Sequence, residues 1–376
     1  MDFSFTEEQT LLRNSVAKFL ADNYDFETFK KISRSDKGWK PENWKAFAEL
    51  GLMAAPLPEA FGGLGGGPVD TMIVMEEFGK ALVVEPFAQT VVVGGGIVNH
   101  GGNDAQKEEW LGKIAGGECV IGFAFAERQS RFNFADVLTS AKKQGSGYVL
   151  NGQKTVVLGG PMADTLIVTA RTAGGQRDEK GISVFLVDKK SKGIATRDYP
   201  TVDGLRASEI TFENVEVPAA NLIGADGNAL PLIEQVTDEA IAAHCAEACG
   251  AMKVLLDATT EYSKTRKQFG VPIGKFQALQ HRMVDMFMAY EQSQSMTLMV
   301  TLKLGESAKE RKKAASAAKV QIGKAGRFVG QNAIQIHGGM GMTDELNVGH
   351  YFKRVTMLDT LYGNVDHHLK RYAALS

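Results

Sequence analysis

Cysteine and histidine are the residues here that could ligate a metal or act as nucleophiles, and they are few. The chain has three cysteines, Cys119, Cys245 and Cys249. Cys245 and Cys249 have the i,i+4 spacing of one helical face, but only His244 is near them, and a structural metal site takes about four ligands. We therefore predict small buried side chains in a reducing compartment, without a disulfide framework.

A histidine pair near the C-terminus is the other candidate for metal ligation. His367 and His368 precede Lys370 and Arg371, and only Asp366 could add a ligand there. Since a carboxylate and two adjacent histidines do not complete a typical site, we predict no metal and interpret the segment as a polar helical surface.

Glycines crowd the segment from Phe61 to Pro68, which reads Phe-Gly-Gly-Leu-Gly-Gly-Gly-Pro. A dinucleotide-binding glycine loop follows a strand and opens a helix. No strand is predicted before this run, and a proline ends it directly. We therefore predict a flexible connection between two helices rather than a phosphate-binding loop.

Length and charge restrict the class of protein. A chain of 376 residues can bury a large core and should form two or three domains. A formal net charge of -2 gives no global attraction to nucleic acid or anionic membranes. Residues 1–4 carry no export signal, and no run of about 18 apolar residues occurs. We expect a cytoplasmic protein that neither binds nucleic acid nor inserts into a membrane.

The hydrophobic periodicity changes twice along the chain. Thr6 and Gln9 form a helix-capping box, and further helices are predicted at 44–52 and 71–82. Short β-rich runs begin near residue 119, and long helical patterns begin near residue 229. The predicted fold is α+β and mostly α, with an N-terminal helical domain, a middle antiparallel β domain and a C-terminal four-helix bundle. The predicted domains are 1–118, 119–228 and 229–376.

The middle domain contains a strong turn signal. Asn151-Gly152 predicts a hairpin between strands 148–150 and 154–158, because both turn residues tolerate positive φ. No helical segment interrupts the β runs, so an antiparallel sheet is favoured over a doubly wound one. Further strands are predicted at 166–168, 182–187 and 210–212. The four helices of the bundle are predicted at 229–264, 276–306, 310–336 and 344–371.

Three segments, in the right order and spread over most of the chain, resemble motifs of the acyl-CoA dehydrogenase family. They are Asn151-Gly152-Gln153-Lys154, then Arg266-Lys267-Gln268-Phe269-Gly270 with Ile273 and Phe276-Gln277 after it, then Gln335-Ile336-His337-Gly338-Gly339-Met340-Gly341-Met342. The resemblance implies an FAD-dependent enzyme that dehydrogenates an acyl-CoA thioester.

The resemblance also implies a cofactor site shared between subunits. A guanidinium such as that of Arg266 suits a pyrophosphate, and Gln335 with Gly338-Gly339 allows hydrogen bonding and close approach. Taken alone, Arg266 could be a surface cation and the two glycines a helix C-cap. The residues expected to contact a neighbour's FAD are Arg266, Gln268, Phe269, Ile273, Phe276, Gln277, Gln335, Ile336, Gly338 and Gly339.

Two family motifs of the middle domain are altered. The position of a small-residue loop, T-E-P-G-x-G-S-D, is taken by residues 126–133, where only Glu127 matches and Arg131 and Phe132 are bulky. A family W-[IV]-[TS] triplet, whose aromatic covers the flavin and whose hydroxyl reaches N5, falls on 156–158, which reads Val-Val-Leu. This chain is therefore not expected to supply the flavin-ring half of a site.

The catalytic carboxylate of the family is also missing. By ungapped counting, one family position falls on Tyr362, and the alternative position falls on Ala240 next to Ile241. A phenol with a pKa near about 10 is a poor base. Glu239 is adjacent, but one helical residue turns a side chain by about 100°. A solvated carboxylate at the helix start is the other interpretation of Glu239.

These losses suggest a division of labour between subunits. The sequence is most similar to small, degenerate subunits of heteromeric acyl-CoA dehydrogenases, such as the pimeloyl-CoA dehydrogenase small subunit, with a larger partner in an α2β2 tetramer. One alternative is a self-sufficient homo-oligomer in which Glu239 or Glu127 is the base and Arg128 or Arg131 binds an acidic acyl tail. Another is a non-catalytic assembly protein.

Overall fold

The structure is a computed structural model that describes residues 4–376. Residues 1–3, part of the segment on which the export-signal prediction rests, lie outside the described residues. Contacts divide the chain into two compact units, one made of residues 4–30, 68–83 and 241–376 and the other of residues 31–67 and 84–240. The domain boundaries drawn from the sequence stay a prediction.

Six α-helices precede the first strand in the described chain. They are α1 (Glu7–Asn23), α2 (Phe26–Ser33), α3 (Pro41–Glu49), α4 (Pro68–Ala81), α5 (Gly95–Gly101) and α6 (Asp104–Ala115). The predicted capping box is confirmed, since the N–H of Gln9 donates to Thr6 Oγ1 at 3.2 Å and the N–H of Thr6 donates to Gln9 Oε1 at 3.1 Å. Helices α3 and α4 begin earlier than predicted because a proline fits the first turn of each.

The glycine run is an ordered turn rather than a flexible connection. The N–H of Gly65 donates to Leu57 O at 2.9 Å, and that of Gly66 donates to Ala55 O at 2.9 Å. A Cβ on Gly63 would lie 2.0 Å from Leu57 O, so the chain itself needs the glycine there. Pro68 ends the run as the first residue of α4.

One eight-stranded sheet fills the middle of the sequence, in the order β6-β7-β3-β2-β4-β5-β8 with β1 added to β4. Its strands are β1 (Ile121–Ala124), β2 (Ser140–Gln144), β3 (Gly147–Leu158), β4 (Thr165–Arg171), β5 (Ile182–Asp188), β6 (Ile194–Pro200), β7 (Arg206–Pro218) and β8 (Leu222–Ile223). Strand β4 is buried at every position, as expected for a strand covered on both faces. The sheet is not wholly antiparallel, because β1 and β2 each pair with β4 in parallel.

The predicted hairpin at Asn151-Gly152 is wrong. Strand β3 runs straight through these residues, and its register with β7 shifts between Leu150 and Gly152. Asn151 Nδ2 donates to Asn214 Oδ1 at 3.2 Å, and the N–H of Asn214 donates to Asn151 Oδ1 at 2.8 Å. Asn151 and Gly152 therefore form a β-bulge, in which Gly152 has a positive φ, as a turn residue would. The turn that connects β2 to β3 contains Gly145, at φ +58°.

Long helices make up the C-terminal part, as predicted. They are α7 (Leu230–Thr265), α8 (Gln277–Leu302), α9 (Ala308–His337), α10 (Val348–Thr360) and α11 (Val365–Leu375). The fourth predicted helix is two helices, because Tyr362 and Gly363 adopt positive φ of 56° and 119°. A short hairpin of β9 (Lys267–Gln268) and β10 (Val271–Pro272), which the sequence did not predict, connects α7 to α8. Within residues 4–376, no helix is long and apolar enough to cross a membrane.

Candidate functional site

The β9–β10 hairpin presents a cation and an aromatic ring at the surface. Arg266 follows the last residue of α7, and its carbonyl accepts from the N–H of Ile273 at 2.8 Å. Phe269 stands at the hairpin tip with φ +53°, and 91% of its surface is exposed. Its ring centroid lies 6.1 Å from that of Phe276, edge to face. An exposed aromatic supported in this way offers a flat apolar surface to another molecule.

The end of α9 lies beside the end of α7. The rings of Tyr262 and His337 stack with centroids 4.3 Å apart, and His337 Nδ1 lies 2.8 Å from Ala333 O. Gly338 follows at φ 60° and ψ -139°, a conformation that only glycine adopts without strain. This contact brings the two C-terminal motifs together, because Arg266 lies one helical turn beyond Tyr262.

Gly339 differs from Gly338 in having no conformational reason to be glycine. Its φ is not positive, and a Cβ placed on it would meet no heavy atom within 4 Å. Nothing among the described residues therefore requires the missing side chain. A glycine at such an open position fits close approach by a group from outside the chain.

The predicted cofactor-binding residues are mostly on the surface. Ile273 and Ile336 are buried, at 8% and 7% exposure. The exposed members are Arg266, Gln268, Phe269, Phe276, Gln277, Gln335, Gly338 and Gly339. The sequence did not lead us to predict a structural role for Tyr262 and His337. The signal that could have identified them is their closeness in sequence to Arg266 and Gln335.

In the middle domain, Glu127 is occupied by structural partners. Its carboxylate lies 2.8 Å from the buried Lys154 Nζ and accepts from the N–H groups of Leu138 and Thr139 and from Gln129 Nε2. Burial alone would raise the pKa of Glu127, but the Lys154 ammonium and these hydrogen bonds lower it to about 2. A carboxylate so strongly stabilised in its charged form is a weak base.

The segment around residues 128–137 is held by side chains of the same unit. The Arg171 guanidinium donates to the carbonyls of Ala135 and Val137 at 2.7 and 3.1 Å. Arg128 Nη2 lies 3.5 Å from Glu209 Oε2, and the exposed Arg131 has φ +46°. The segment is thus fixed by internal contacts and presents bulky side chains, as the sequence predicted.

The position of the family's flavin-facing triplet contains a second bulge. The register of β3 with β7 shifts between Lys154 and Val157. Val156 has φ +50°, unusual for a β-branched residue, and 46% of its surface is exposed. Val157 is fully buried and Leu158 has no side-chain donor. These side chains can neither hydrogen-bond a flavin N5 nor cover an aromatic ring.

No carboxylate stands at either expected base position. Tyr362 is 9% exposed, and burial raises the pKa of its phenol. Ala240 and Ile241 are buried apolar residues. Glu239 Oε1 lies 2.8 Å from His100 Nε2, with its side chain 20% exposed. Glu239 is therefore part of an ion pair whenever His100 is protonated, rather than an isolated carboxylate.

Comparison with known proteins identifies the family. The N-terminal, middle and C-terminal domain models of acyl-CoA dehydrogenases match residues 6–118, 122–215 and 231–374. The probable acyl-CoA dehydrogenase YngJ of Bacillus subtilis is 31% identical over 364 residues, covering 96% of this chain and 95% of YngJ. The chain belongs to the acyl-CoA dehydrogenase family. Enzymes of this family are FAD-dependent flavoproteins and oxidoreductases that act on CH–CH bonds.

Solved structures confirm the acyl-CoA dehydrogenase fold. Butyryl-CoA dehydrogenase from Megasphaera elsdenii superposes with a TM-score of 0.92 at 25% identity, covering 100% of this chain and 99% of that one. The Tcur3481–Tcur3483 steroid ACAD, a heteromeric complex, gives a TM-score of 0.88 at 26% identity, covering 98% of this chain and 97% of that one. The fold class predicted from the sequence is thereby confirmed.

Proposed function

We propose that this chain is a subunit of an FAD-dependent acyl-CoA dehydrogenase and supplies the adenine and pyrophosphate side of a neighbouring subunit's FAD site. The observation that carries the proposal is the stacking of Tyr262 on His337, which joins the segment of the exposed Arg266 and Phe269 to the segment of the open Gly339. Phe269 contacts Phe276 but keeps 91% of its surface exposed, and a guanidinium, an aromatic ring and an open glycine together suit a phosphate-bearing, aromatic ligand.

The chemistry of the side chains fits one half of FAD and not the other. When bound, FAD supplies the hydride acceptor for α,β-dehydrogenation of the acyl-CoA thioester. Arg266 would hold the pyrophosphate by charge-assisted hydrogen bonds, while Phe269 and the Gly338-Gly339 backbone would lie against the adenosine part. Residues 156–158 offer the flavin ring neither a donor nor an aromatic cover. A partner must therefore provide the ring pocket and the base.

The partner we infer is a larger acyl-CoA dehydrogenase subunit, most simply in an α2β2 tetramer. The similarity to the heteromeric Tcur3481–Tcur3483 complex supports this arrangement. Helix α8 also leaves apolar side chains at the surface, as a subunit interface would require. They are Val284, Phe287 and Met288, exposed to 53%, 50% and 48%.

In the alternative of a self-sufficient homo-oligomer, Glu127 is an unsuitable base. Glu127 is buried against Lys154 and has a pKa near 2, so it does not suit α-proton abstraction. Glu239 is partly exposed but lies against His100. A purely structural role does not account for the exposed guanidinium of Arg266 or for the open glycine at 339.

Two glycines of this chain allow a matched test of the cofactor role. At both Gly339 and Gly305 a Cβ would stand in open space, and neither residue has a positive φ. We expect Gly339→Leu to lower FAD retention in the co-purified complex by about tenfold or more and Gly305→Leu to leave it unchanged, since only position 339 would face the cofactor. Neither change should move the Tm of the isolated chain.

The guanidinium provides a second variant for the same assay. Arg266→Ala should also weaken FAD retention by about tenfold or more, because hydrogen bonds to a charged group are worth about 1.5–3 kcal/mol. The measurement is bound flavin after gel filtration of the complex. Equal FAD retention by Gly339→Leu and Gly305→Leu would contradict the proposal.

A further inference from the structure

The segment of the open Gly339 is held at both ends by contacts within one of the compact units. On its N-terminal side, the His337 ring stacks on that of Tyr262 with centroids 4.3 Å apart. On its C-terminal side, Asp344 Oδ1 lies 2.8 Å from Nε2 of His350, in the first turn of α10. An ionised carboxylate only accepts hydrogen bonds, so His350 Nε2 carries a proton and donates to Asp344. The backbone at Gly339 is therefore confined between two anchored residues.

Helix α2 holds both members of the pair formed by Asp344 and His350. The rings of Phe26 and Phe29 lie against the His350 imidazole, edge to face, with centroids 5.2 and 5.5 Å away. Lys30, on the same helix, donates from Nζ to the main-chain oxygen of Asp344 at 3.5 Å. We term Phe26, Phe29, Lys30, Asp344 and His350 the α2 clamp. It ties the side chain and the main chain of Asp344 to one helix.

Two hydrogen bonds connect the α2 clamp to the turn that contains Gly339. The N–H and the Oγ1 of Thr343 both donate to Met340 O, at 3.2 and 2.9 Å. Met340 directly follows Gly339, and Thr343 directly precedes Asp344. A shift of Asp344 therefore moves the turn. Because the clamp fixes Asp344, it also fixes the backbone on which the open glycine stands.

The ion pair of Asp344 and His350 is not needed for the hydrophobic core. The side chain of Asp344 is 53% exposed and that of His350 is 15% exposed. Ion pairs at the surface contribute little to the free energy of unfolding. Loss of this pair should therefore loosen the segment of Gly339 locally and leave the rest of the fold intact.

We propose that Asp344 and His350 are positioning residues for the cofactor surface, and that the α2 clamp holds the Gly338-Gly339 backbone ready for a neighbouring subunit's FAD. This role rests on the proposed function in one respect, the binding of the adenosine part at these glycines. A segment that is ordered before binding loses less conformational entropy on binding, so the complex is tighter. A segment freed from the clamp loses that advantage, and FAD dissociates from the complex more readily.

Two neighbouring carboxylates provide a matched test of the positioning role. Asp344→Ala and Glu345→Ala each remove one exposed acidic side chain from the same loop, and Asp344 is the one that contacts His350. We expect Asp344→Ala to lower FAD retention by the co-purified complex about fivefold, the effect of losing the order of about one side chain, and Glu345→Ala to leave it unchanged. Asp344→Asn keeps an oxygen that accepts from His350 Nε2 and should restore most of the retention.

Amide hydrogen exchange on the isolated full-length chain tests the α2 clamp without any cofactor. Residues 338–344 should exchange faster in Asp344→Ala than in Glu345→Ala, with an unchanged Tm for both variants. Equal exchange in the two variants would overturn the clamp. Equal FAD retention by their complexes would overturn the positioning role.

Arg266→Ala in the same retention assay separates the positioning role from the proposed function. If Arg266→Ala lowers FAD retention and Asp344→Ala does not, the positioning role fails alone. If neither variant lowers it, the proposed function fails as well. Weaker retention in both variants, with Asp344→Asn close to the wild type, supports the two together.

Discussion

At the scale of single residues, buried charges in this protein come with partners that fix their ionisation. Lys154 is fully buried between Glu127 Oε1, Phe125 O and Thr169 Oγ1, at 2.8, 3.2 and 2.9 Å. Removing one member of such a pair leaves an uncompensated charge, which costs far more than the pair contributes. The Asn-Gly-x-Lys motif is thus explained in part by packing, since its lysine holds the segment that follows β1.

Substitution of Lys154 should expose this dependence. We expect Lys154→Met to lower the free energy of unfolding by about 3–5 kcal/mol near neutral pH, because Glu127 would stay buried without its cation. Lys142→Met, at an exposed position of β2, should change it by less than about 0.5 kcal/mol. Urea unfolding of both variants measures the difference.

The pH dependence of the same variant has a definite sign. In the wild type the pKa of Glu127 is lowered from 4.5 to about 2, so its contribution to stability is present above pH 4.5 and lost toward pH 2. Without Lys154, burial raises that pKa, and protonation of the carboxyl relieves the variant as the pH falls. The loss in free energy of unfolding caused by Lys154→Met should therefore be smaller at about pH 4 than near neutral pH. An unchanged deficit would contradict the ion-pair account.

At the scale of elements, the sheet depends on residues with unusual backbone angles. Gly152 has φ +151°, and a Cβ there would lie 2.6 Å from Thr139 Cα. Gly145, in the β2–β3 turn, has φ +58° with open space around it. Both positions have positive φ, but only Gly152 is also crowded by backbone.

The two glycines should therefore respond differently to alanine. We expect Gly145→Ala to cost about 1 kcal/mol, the strain of a left-handed residue, and Gly152→Ala to cost clearly more, about 2–4 kcal/mol. Thermal and urea unfolding of the isolated chain would show the difference. Equal losses would mean that β3 shifts to accommodate the methyl group.

Hydrophobic periodicity predicted the long helices correctly. Some boundaries between elements were predicted wrongly, because local turn signals were misleading or absent. Helices α7, α8 and α9 lie close to their predicted bounds because many apolar positions define each of them. The Asn151-Gly152 turn signal was misleading, because a β-bulge uses the same positive φ as a hairpin turn. The break before Gly363 was missed because the apolar pattern continues on both sides of it.

At the scale of the whole molecule, the chain has the architecture of an acyl-CoA dehydrogenase. Motif order was enough to predict the family, and domain models confirm it over almost the full length. The motifs also identified the exposed candidate surface at Arg266 and Gly339. They could not reveal the packing of Tyr262, because its partner His337 is distant in sequence and meets it only where the helices pack.

The proposed function depends most on the assembly of this chain with a different subunit. If this chain supplies only the adenine and pyrophosphate side, a functional FAD site requires the flavin-ring pocket of a different subunit. The number of flavins per chain then follows from the composition of the complex. Each pair of one large and one small subunit should hold one FAD, and an α2β2 tetramer should hold two.

Flavin stoichiometry tests this claim most directly. The chain would be purified alone and after co-expression with a large acyl-CoA dehydrogenase subunit, with native mass and flavin absorbance measured on both samples. We predict one FAD per heterodimer in the complex and none retained by the chain alone. One FAD per chain in the protein purified alone would contradict the division of the site.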